Sequence, residues 1–321
     1  MKAVIHESYG LPEVLKIQEI EKPEVPEDGV LVRVRASSVN IAEWYMMTGL
    51  FIARIMGNGL FKPKDTQLGA DFAGVVEAVG SQVRDFKPGD EVFGGRGGSF
   101  AEYVSVKNAV ARKPTNLTFE EAAAVPTAGI TALQGLRDYG KIQPGQKVLI
   151  HGASGGVGSF AIQIAKALGA EVTAVCSTQN VEHARSLGAD YVIDYAKEDF
   201  TRNGQQYDLL FNINGSRSWS AYKRALKPDA IFVLVGGPRT PLIGPLSMVV
   251  KMRLAMLGSS RKFAFFIAQF NREDMQVLKD LIESGKVKPL VEQTYPMTRI
   301  ADAMTHLGAG HAKGKIVVSM G

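Results

Sequence analysis

The chain has 321 residues, 45% of them hydrophobic and 21% charged, which suits a soluble globular protein large enough for two domains. Its net charge of +5 comes from scattered Lys and Arg with no basic run, so nucleic acid is not an expected partner. The single cysteine, Cys176, excludes an intrachain disulfide and a four-thiolate zinc lobe.

The first part of the chain reads as β-rich. Short apolar or alternating runs at 2–5, 15–20, 30–36, 68–79, 91–93 and 101–106 are separated by Pro and Gly, the pattern of a small barrel-like domain. The style changes at Thr118, where Thr118 and Glu121 have the spacing of a capping box. From there strands and helices alternate. Strands are expected at 147–151, 171–176, 191–193, 207–213 and 230–235, with helices at 157–168, 181–187 and 218–226. Such alternation implies a parallel sheet covered by helices on both faces. Residues 272–284 read as an amphipathic helix, and 315–319 as a strand that can return to the first domain. Residues 241–258 are apolar, but Lys251 and Arg253 break them well short of the about 20 residues a membrane span needs. With no apolar stretch of signal length at Met1–Glu7, the expected location is the cytoplasm. The histidines show no metal-ligand spacing, and His151 is expected to pack at the end of its strand.

Chemistry enters at Gly152-Ala153-Ser154-Gly155-Gly156-Val157-Gly158, placed between the strand at 147–151 and an Ala- and Ile-rich helix. In a strand–turn–helix context this pattern predicts a dinucleotide site. Gly155 lets the backbone approach the pyrophosphate, and Gly158 lets the helix pack against the strand. The helix N-terminus offers N–H groups and a positive dipole end to the phosphates. The next strand ends in Cys176-Ser177-Thr178-Gln179-Asn180, without the acidic residue that meets the ribose 2′-hydroxyl in NAD-preferring sites. Hydroxyl and amide donors favour NADPH over NADH, although Ser177 and Asn180 equally suit a helix cap.

Taken together, the chain resembles the medium-chain dehydrogenase/reductase superfamily, in its zinc-independent, zeta-crystallin-like quinone oxidoreductase branch. Five blocks carry the likeness: Ala36-Ser37-Ser38-Val39-Asn40, Leu68-Gly69-Ala70-Asp71-Phe72-Ala73-Gly74-Val75-Val76, Phe86-Lys87-Pro88-Gly89-Asp90-Glu91-Val92, Ala124-Val125-Pro126-Thr127-Ala128-Gly129-Ile130-Thr131-Ala132 and the glycine turn. The resemblance implies an α/β protein with a GroES-like β-rich catalytic domain (1–121 and 269–321), a doubly wound Rossmann domain (122–268) and an active site in the cleft. It implies a homodimer or homotetramer. Zinc-dependent members place a cysteine near Asn40 and a His-Glu pair near Ala70-Asp71; here those ligands are missing, so no zinc is expected.

By the same resemblance, Asn40 should lie near the nicotinamide ribose, and Thr127 near the nicotinamide or its phosphate. Ser154, Gly155, Gly156 and Val157 should line the pyrophosphate, and Ser177 and Thr178 the adenosine ribose or its 2′-phosphate. Tyr195 is placed by the adenine, and Asn212, Gly236 and Gly237 facing the dinucleotide. Tyr45 is a candidate catalytic proton donor, with packing as its other reading. Phe263, Phe265 and Phe266 either close the pocket or pack in the core. Without a metal to hold alkoxide charge, the expected acceptor is a small electron-poor molecule: a quinone or an α,β-unsaturated carbonyl. Two alternatives are an enoyl-thioester reductase and an NADPH-binding protein with little turnover, as in a crystallin-like or scaffold role.

Overall fold

A computed structural model of the chain describes residues 1–51, 54, 59–236, 244–310 and 312–321. Gly237, and parts of the 51–67 and 241–258 segments, lie outside the described residues. The chain forms two compact units: Met1–Ile130 with Gln269–Gly285 and Pro289–Gly321, and Thr131–Ala268 with Lys286–Lys288. The first unit therefore extends beyond the boundary expected after residue 121. The short helix Phe119–Ala123, capped by Thr118, accounts for the first residues past that boundary: it buries Ala122 and Ala123 and packs on strands of the first unit.

In the first unit, β1 (Lys2–Ile5) and β2 (Lys16–Glu19) form an antiparallel ribbon. β3 (Val30–Ser38) is its longest strand together with β4 (Asp71–Val79), followed by β5 (Glu91–Gly95), β6 (Tyr103–Val106) and β7 (Val110–Arg112). Alternation decides the face. Val30, Val32 and Val34 of β3 join Val76, Val92, Val104, Val106 and Val110 in one core, while Arg33 between them stays in solvent. Between β3 and β4 lies the helix Ile41–Thr48, which the apolar pattern of 41–48 does not announce. Its ends are nonetheless encoded: Asn40 stands at the N-cap with Glu43 at N3, and Gly49 closes it in the left-handed region at φ 65°.

The second unit is a six-stranded, wholly parallel sheet. In chain order its strands are β8 (Lys147–His151), β9 (Glu171–Cys176), β10 (Tyr191–Asp194), β11 (Tyr207–Asn212), β12 (Leu226–Leu234) and β13 (Lys262–Phe265). In space they run β10-β9-β8-β11-β12-β13. The order proceeds outward on one side of β8 and resumes on the other side with β11, so the strand order reverses between β8 and β11. Ligands bind at such a switch point, beyond the carboxyl ends of the strands. Val148, Leu149 and Ile150 are fully buried, as a strand covered on both faces requires.

The chain then returns to the first unit through the helix Arg272–Glu283, β14 (Val291–Pro296), the helix Ile300–Ala309 and β15 (Lys315–Ser319). The sheet order is β14-β15-β3-β4-β5-β7, with β6 also pairing β3. Ser38 thus has Asp71 of β4 on one side and Val317 of β15 on the other. No helix among the described residues is long and apolar enough to cross a membrane.

Candidate functional site

In the second unit the glycine turn leaves β8 and enters the helix Gly156–Ala167. Its glycines have three different reasons to be glycine. Gly152 sits at φ 93°, where an L side chain is strained. A Cβ on Gly158 would lie 2.4 Å from the carbonyl oxygen of Gly152 and 2.5 Å from the carbonyl carbon of Ala153, so the helix touches the strand through bare backbone. Gly155 is the opposite case. Its backbone is ordinary, at φ −80°, and a Cβ there would meet nothing within 4 Å. The fold does not need glycine at 155, and the space in front of the helix is open there. Gly155 is also the N-cap and brings no side chain to the first N–H groups, which leaves that end of the helix suited to an anion. Ser154, Gly156 and Val157 flank this space, each half-buried.

At the carboxyl end of β9, Ser177 stands at the N-cap position of a turn over Thr178–Asn180, with no side-chain capping bond. Asn180 Nδ2 donates to Ser177 Oγ at 3.0 Å, which leaves the serine hydroxyl its own proton to give. Thr178 is exposed but differently engaged. Its hydroxyl, together with the Ala196 N–H and Lys197, holds the Asp194 carboxyl below its ordinary range. Asp194 pairs in register with Cys176, so a carboxylate does stand beside this strand end, brought by β10 rather than by the local sequence. Lys197 Nζ lies 3.4 Å from it. Tyr195, 53% exposed, is fixed beside the same end by its N–H on Cys176 O at 3.1 Å.

The loops after β11 and β12 correct one expectation. Asn212 is completely buried, and both ends of its amide are taken by Gly215: Nδ2 donates to Gly215 O at 3.1 Å and Gly215 N donates to Oδ1 at 2.9 Å. Its side chain shapes the loop instead of facing a ligand. Gly236 allows close approach, since a Cβ would fall 2.3 Å from Ile213 O. His151 packs edge-on to Phe200 and Tyr222, and burial pushes its pKa down to about 4. Phe266 is buried and stacks on the exposed Tyr139 ring at 4.3 Å, while Phe263 stacks on Phe232 at 6.0 Å against the core.

Cys176 is buried in β9, and burial first, then the charge of Asp194, pushes its thiol up to about 11. The native protein should therefore resist thiol-specific disulfide reagents, and release one equivalent of reaction only after denaturation. Native labelling at the rate of a free thiol would contradict this burial.

In the first unit, Asn40 joins a buried polar cluster centred on Asp71, a residue of the Leu68–Val76 block to which the sequence assigned no role. Asp71 Oδ2 accepts from Ser38 Oγ at 2.6 Å and Asn40 Nδ2 at 3.0 Å, and lies 3.4 Å from Lys315 Nζ. Its Oδ1 accepts from the Thr127 N–H at 2.8 Å and the Thr127 hydroxyl at 2.5 Å. Lys315 also donates to Asn40 Oδ1, and to Val39 O at 3.3 Å. Glu43 completes the group. Its Oε2 accepts the Asn40 N–H at 2.8 Å, and burial, reinforced by the neighbouring Asp71 charge, pushes its carboxyl up to about 7.

The sign of that shift makes a prediction. A carboxyl that holds its proton more tightly when folded stabilises below its ordinary value of 4.5, and this contribution is lost as pH rises through about 7. Wild type should lose about 3 kcal/mol against Glu43→Gln between about pH 4 and about pH 8, taken from about 1.4 kcal/mol per pKa unit. Urea midpoints measured along that range test it; parallel curves for the two proteins would refute the buried acid.

Tyr45 is half-buried on the helix that follows Asn40. Its neighbours Met47 and Trp44 pack: Met47 is fully buried, and a Cβ on Gly308 would strike the Trp44 ring at 2.3 Å.

Comparison with known proteins agrees with this geometry. Residues 26–115 match the alcohol dehydrogenase GroES-like domain family, and residues 187–318 match a family described as zinc-binding dehydrogenase. The chain is 36% identical to an NADPH-dependent alkenal/one oxidoreductase, chloroplastic, of Arabidopsis thaliana, covering 99% of this chain and 79% of that protein. It is 30% identical to a chloroplastic quinone oxidoreductase of Triphysaria versicolor, over 99% and 98% of the two. Among solved structures, Escherichia coli quinone oxidoreductase complexed with NADPH superposes with a TM-score of 0.85 at 26% identity, covering 100% of both chains. The GroES-like domain, the doubly wound sheet and relatives of this identity along nearly the whole chain lead to one assignment: the protein is an oxidoreductase of the medium-chain dehydrogenase/reductase superfamily and belongs to its quinone oxidoreductase branch.

Proposed function

We propose that this chain reduces a quinone or an α,β-unsaturated carbonyl with NADPH and without zinc. The observation that carries the reading is Gly155, a glycine that the backbone does not require, facing space in which a side chain would meet nothing. The printed names of the relatives, an NADPH-dependent alkenal/one oxidoreductase and a quinone oxidoreductase, support the choice of cofactor and acceptor class. NADPH, when bound, supplies hydride from C4 of its nicotinamide.

The protein's own residues hold and position. Ser154, Gly155, Gly156 and Val157 border the pyrophosphate space, and the uncapped helix end favours its negative charge. Ser177 keeps a hydroxyl proton for the adenosine ribose or its 2′-phosphate, and Tyr195 offers an exposed ring beside it. Asp194 is already engaged by Thr178, Ala196 and Lys197, which softens its repulsion of a 2′-phosphate. Reduction of the acceptor also takes up a proton, and Tyr45 is the side chain we assign to that delivery.

Zinc does not fit the donor set. Ala70 and Asn40 stand where the zinc-dependent relatives carry ligands, both oxygens of Asp71 are engaged by neighbouring donors, and the chain's one cysteine lies in β9 of the other unit. A quinone or enone delocalises incoming electrons onto a distant oxygen and so needs less help from a Lewis acid than a simple ketone.

The test mixes the protein with NADPH and a panel of benzoquinones, naphthoquinones, enals and enones. We expect NADPH consumption above background with at least one conjugated acceptor and none with saturated ketones. Binding of NADPH with no acceptor reduced would overturn the enzymatic reading, and no binding would overturn the site.

A further inference from the structure

The helix Gly244–Ala255 leads from β12 to the edge strand β13, and it carries apolar residues on two opposite sides. Its inner side is accounted for. Met248, Val249, Met252 and Met256 are buried, the first three in the core that also holds Phe232 and Leu234. Its outer side is not. Val250, Leu254 and Leu257, the last in the turn after the helix, recur at i, i+4 and i+7 and so form one row facing away from the methionines. They are 52%, 64% and 78% exposed. Single exposed apolar side chains are ordinary, but a contiguous row of three left in water marks a surface that something covers.

Charge identifies the covering surface. Lys251 and Arg253, both exposed, flank the row on its two sides, and neither has a carboxylate partner among the described residues. Other surface arginines do have one: Arg185 pairs with Glu182 and Arg299 with Asp302, each within one helical turn. Around the helix no such partner is supplied, because 230–272 holds Arg239, Lys251, Arg253, Arg261, Lys262 and Arg272 and no Asp or Glu. We propose that the outer face of this helix docks on a membrane surface that carries acidic lipids. Val250, Leu254 and Leu257 enter the boundary between headgroups and acyl chains, and Lys251 and Arg253 lay their stems along it with their charges on the lipid phosphates. The helix is too short to cross a bilayer, so it lies in the plane of the interface. A second copy of the chain suits this face less well. In a symmetric contact the face would meet itself, and its unpaired cations would oppose the same cations of the partner. Docking of this kind uses the second unit alone and is independent of the reaction proposed above.

The experiment floats the protein with vesicles of phosphatidylcholine and phosphatidylserine in equal parts, and with vesicles of phosphatidylcholine alone. Wild type is compared with Lys251→Gln/Arg253→Gln and with Leu254→Gln/Leu257→Gln. All four side chains are exposed, so both variants should unfold at the wild-type temperature, and either one remains informative if the other fails to fold. We expect wild type to bind the acidic vesicles and not the neutral ones, with binding lost as salt is raised. The charge variant should bind about thirtyfold more weakly, about fivefold for each cation, and the apolar variant at least about tenfold more weakly. Wild type that stays free of acidic vesicles, or binds neutral ones equally, would overturn the proposal. Undiminished binding by either variant would overturn it too, by moving the contact to another face. Light scattering without lipid tests a second copy as the occupant. An oligomer that dissociates in Leu254→Gln/Leu257→Gln would assign the row to a subunit contact and overturn membrane docking, whereas a mass equal to that of wild type supports it.

Discussion

Gly155→Val should give a folded protein that has lost NADPH, whereas Gly158→Val should lose stability before binding is ever at issue. The two glycines stand in one turn, yet their surroundings differ in kind. At 155 the backbone lies at φ −80° and a Cβ meets nothing within 4 Å, so the fold has room for a side chain, which under the proposed function would stand in the pyrophosphate space. We expect unchanged thermal unfolding and at least about a hundredfold loss of NADPH affinity, equivalent to about 2.7 kcal/mol. At 158 the new Cβ would fall 2.4 Å from Gly152 O and 2.6 Å from Ala153 O, backbone atoms that cannot swing aside. Overpacking of this sort costs about 1–3 kcal/mol and more where the obstacle is backbone. Calorimetry and NADPH titration on both variants decide the matter. A Gly155→Val protein that binds NADPH as wild type does would remove the phosphate space from the turn.

Lys315→Met is the second large effect. The lysine is buried, and it is the cation of a cluster that also holds Asp71 and Glu43. Methionine fills similar volume but leaves Asp71 with neutral donors only. Breaking a buried pair in this way costs about 3–5 kcal/mol, because the surviving charge is stranded. The pH dependence identifies the cause. Lys315 is one of the groups that hold the Glu43 carboxyl down, so without the cation Glu43 keeps its proton more tightly in the native state, which gains stability as pH falls. The deficit should be largest near about pH 8 and shrink toward about pH 5. Adding Asp71→Asn should recover part of it, since the two residues act as a coupled pair. Urea unfolding at both pH values tests this; a deficit independent of pH would show that lost packing, not stranded charge, is responsible.

The parts of this molecule legible in the sequence are those written in neighbouring residues. The parallel sheet followed from apolar runs alternating with helical stretches. The turn followed from Gly155 and Gly158 sitting between a buried strand and a helix, and the cap at Thr118 from Glu121 three residues on. The helix Ile41–Thr48 was equally available in the Asn40–Glu43 spacing and in Gly49, but its apolar residues run around the helix without a clean stripe. The role of Asp71 was hidden for a different reason. It lies within a strand of small and apolar residues, and its partners Thr127 and Lys315 are distant in the chain; only the pairing of β3 with β4 and β15 brings them together. Asp194 reached Cys176 in the same way, through the register of β10 on β9. Sequence spacing records local geometry, whereas a polar cluster assembled across strands is recorded only in the register.

The burial of Cys176 bears on how the protein survives its own chemistry. Quinones and conjugated enones are electrophiles, and the thiolate is the protein nucleophile they capture most readily. An enzyme that gathers such molecules risks being alkylated by them. Here the one thiol in the chain is enclosed in β9 and held protonated, with its pKa at about 11. Under the proposed function, that placement lets the protein work in the presence of thiol-reactive substrates without being consumed as their scavenger.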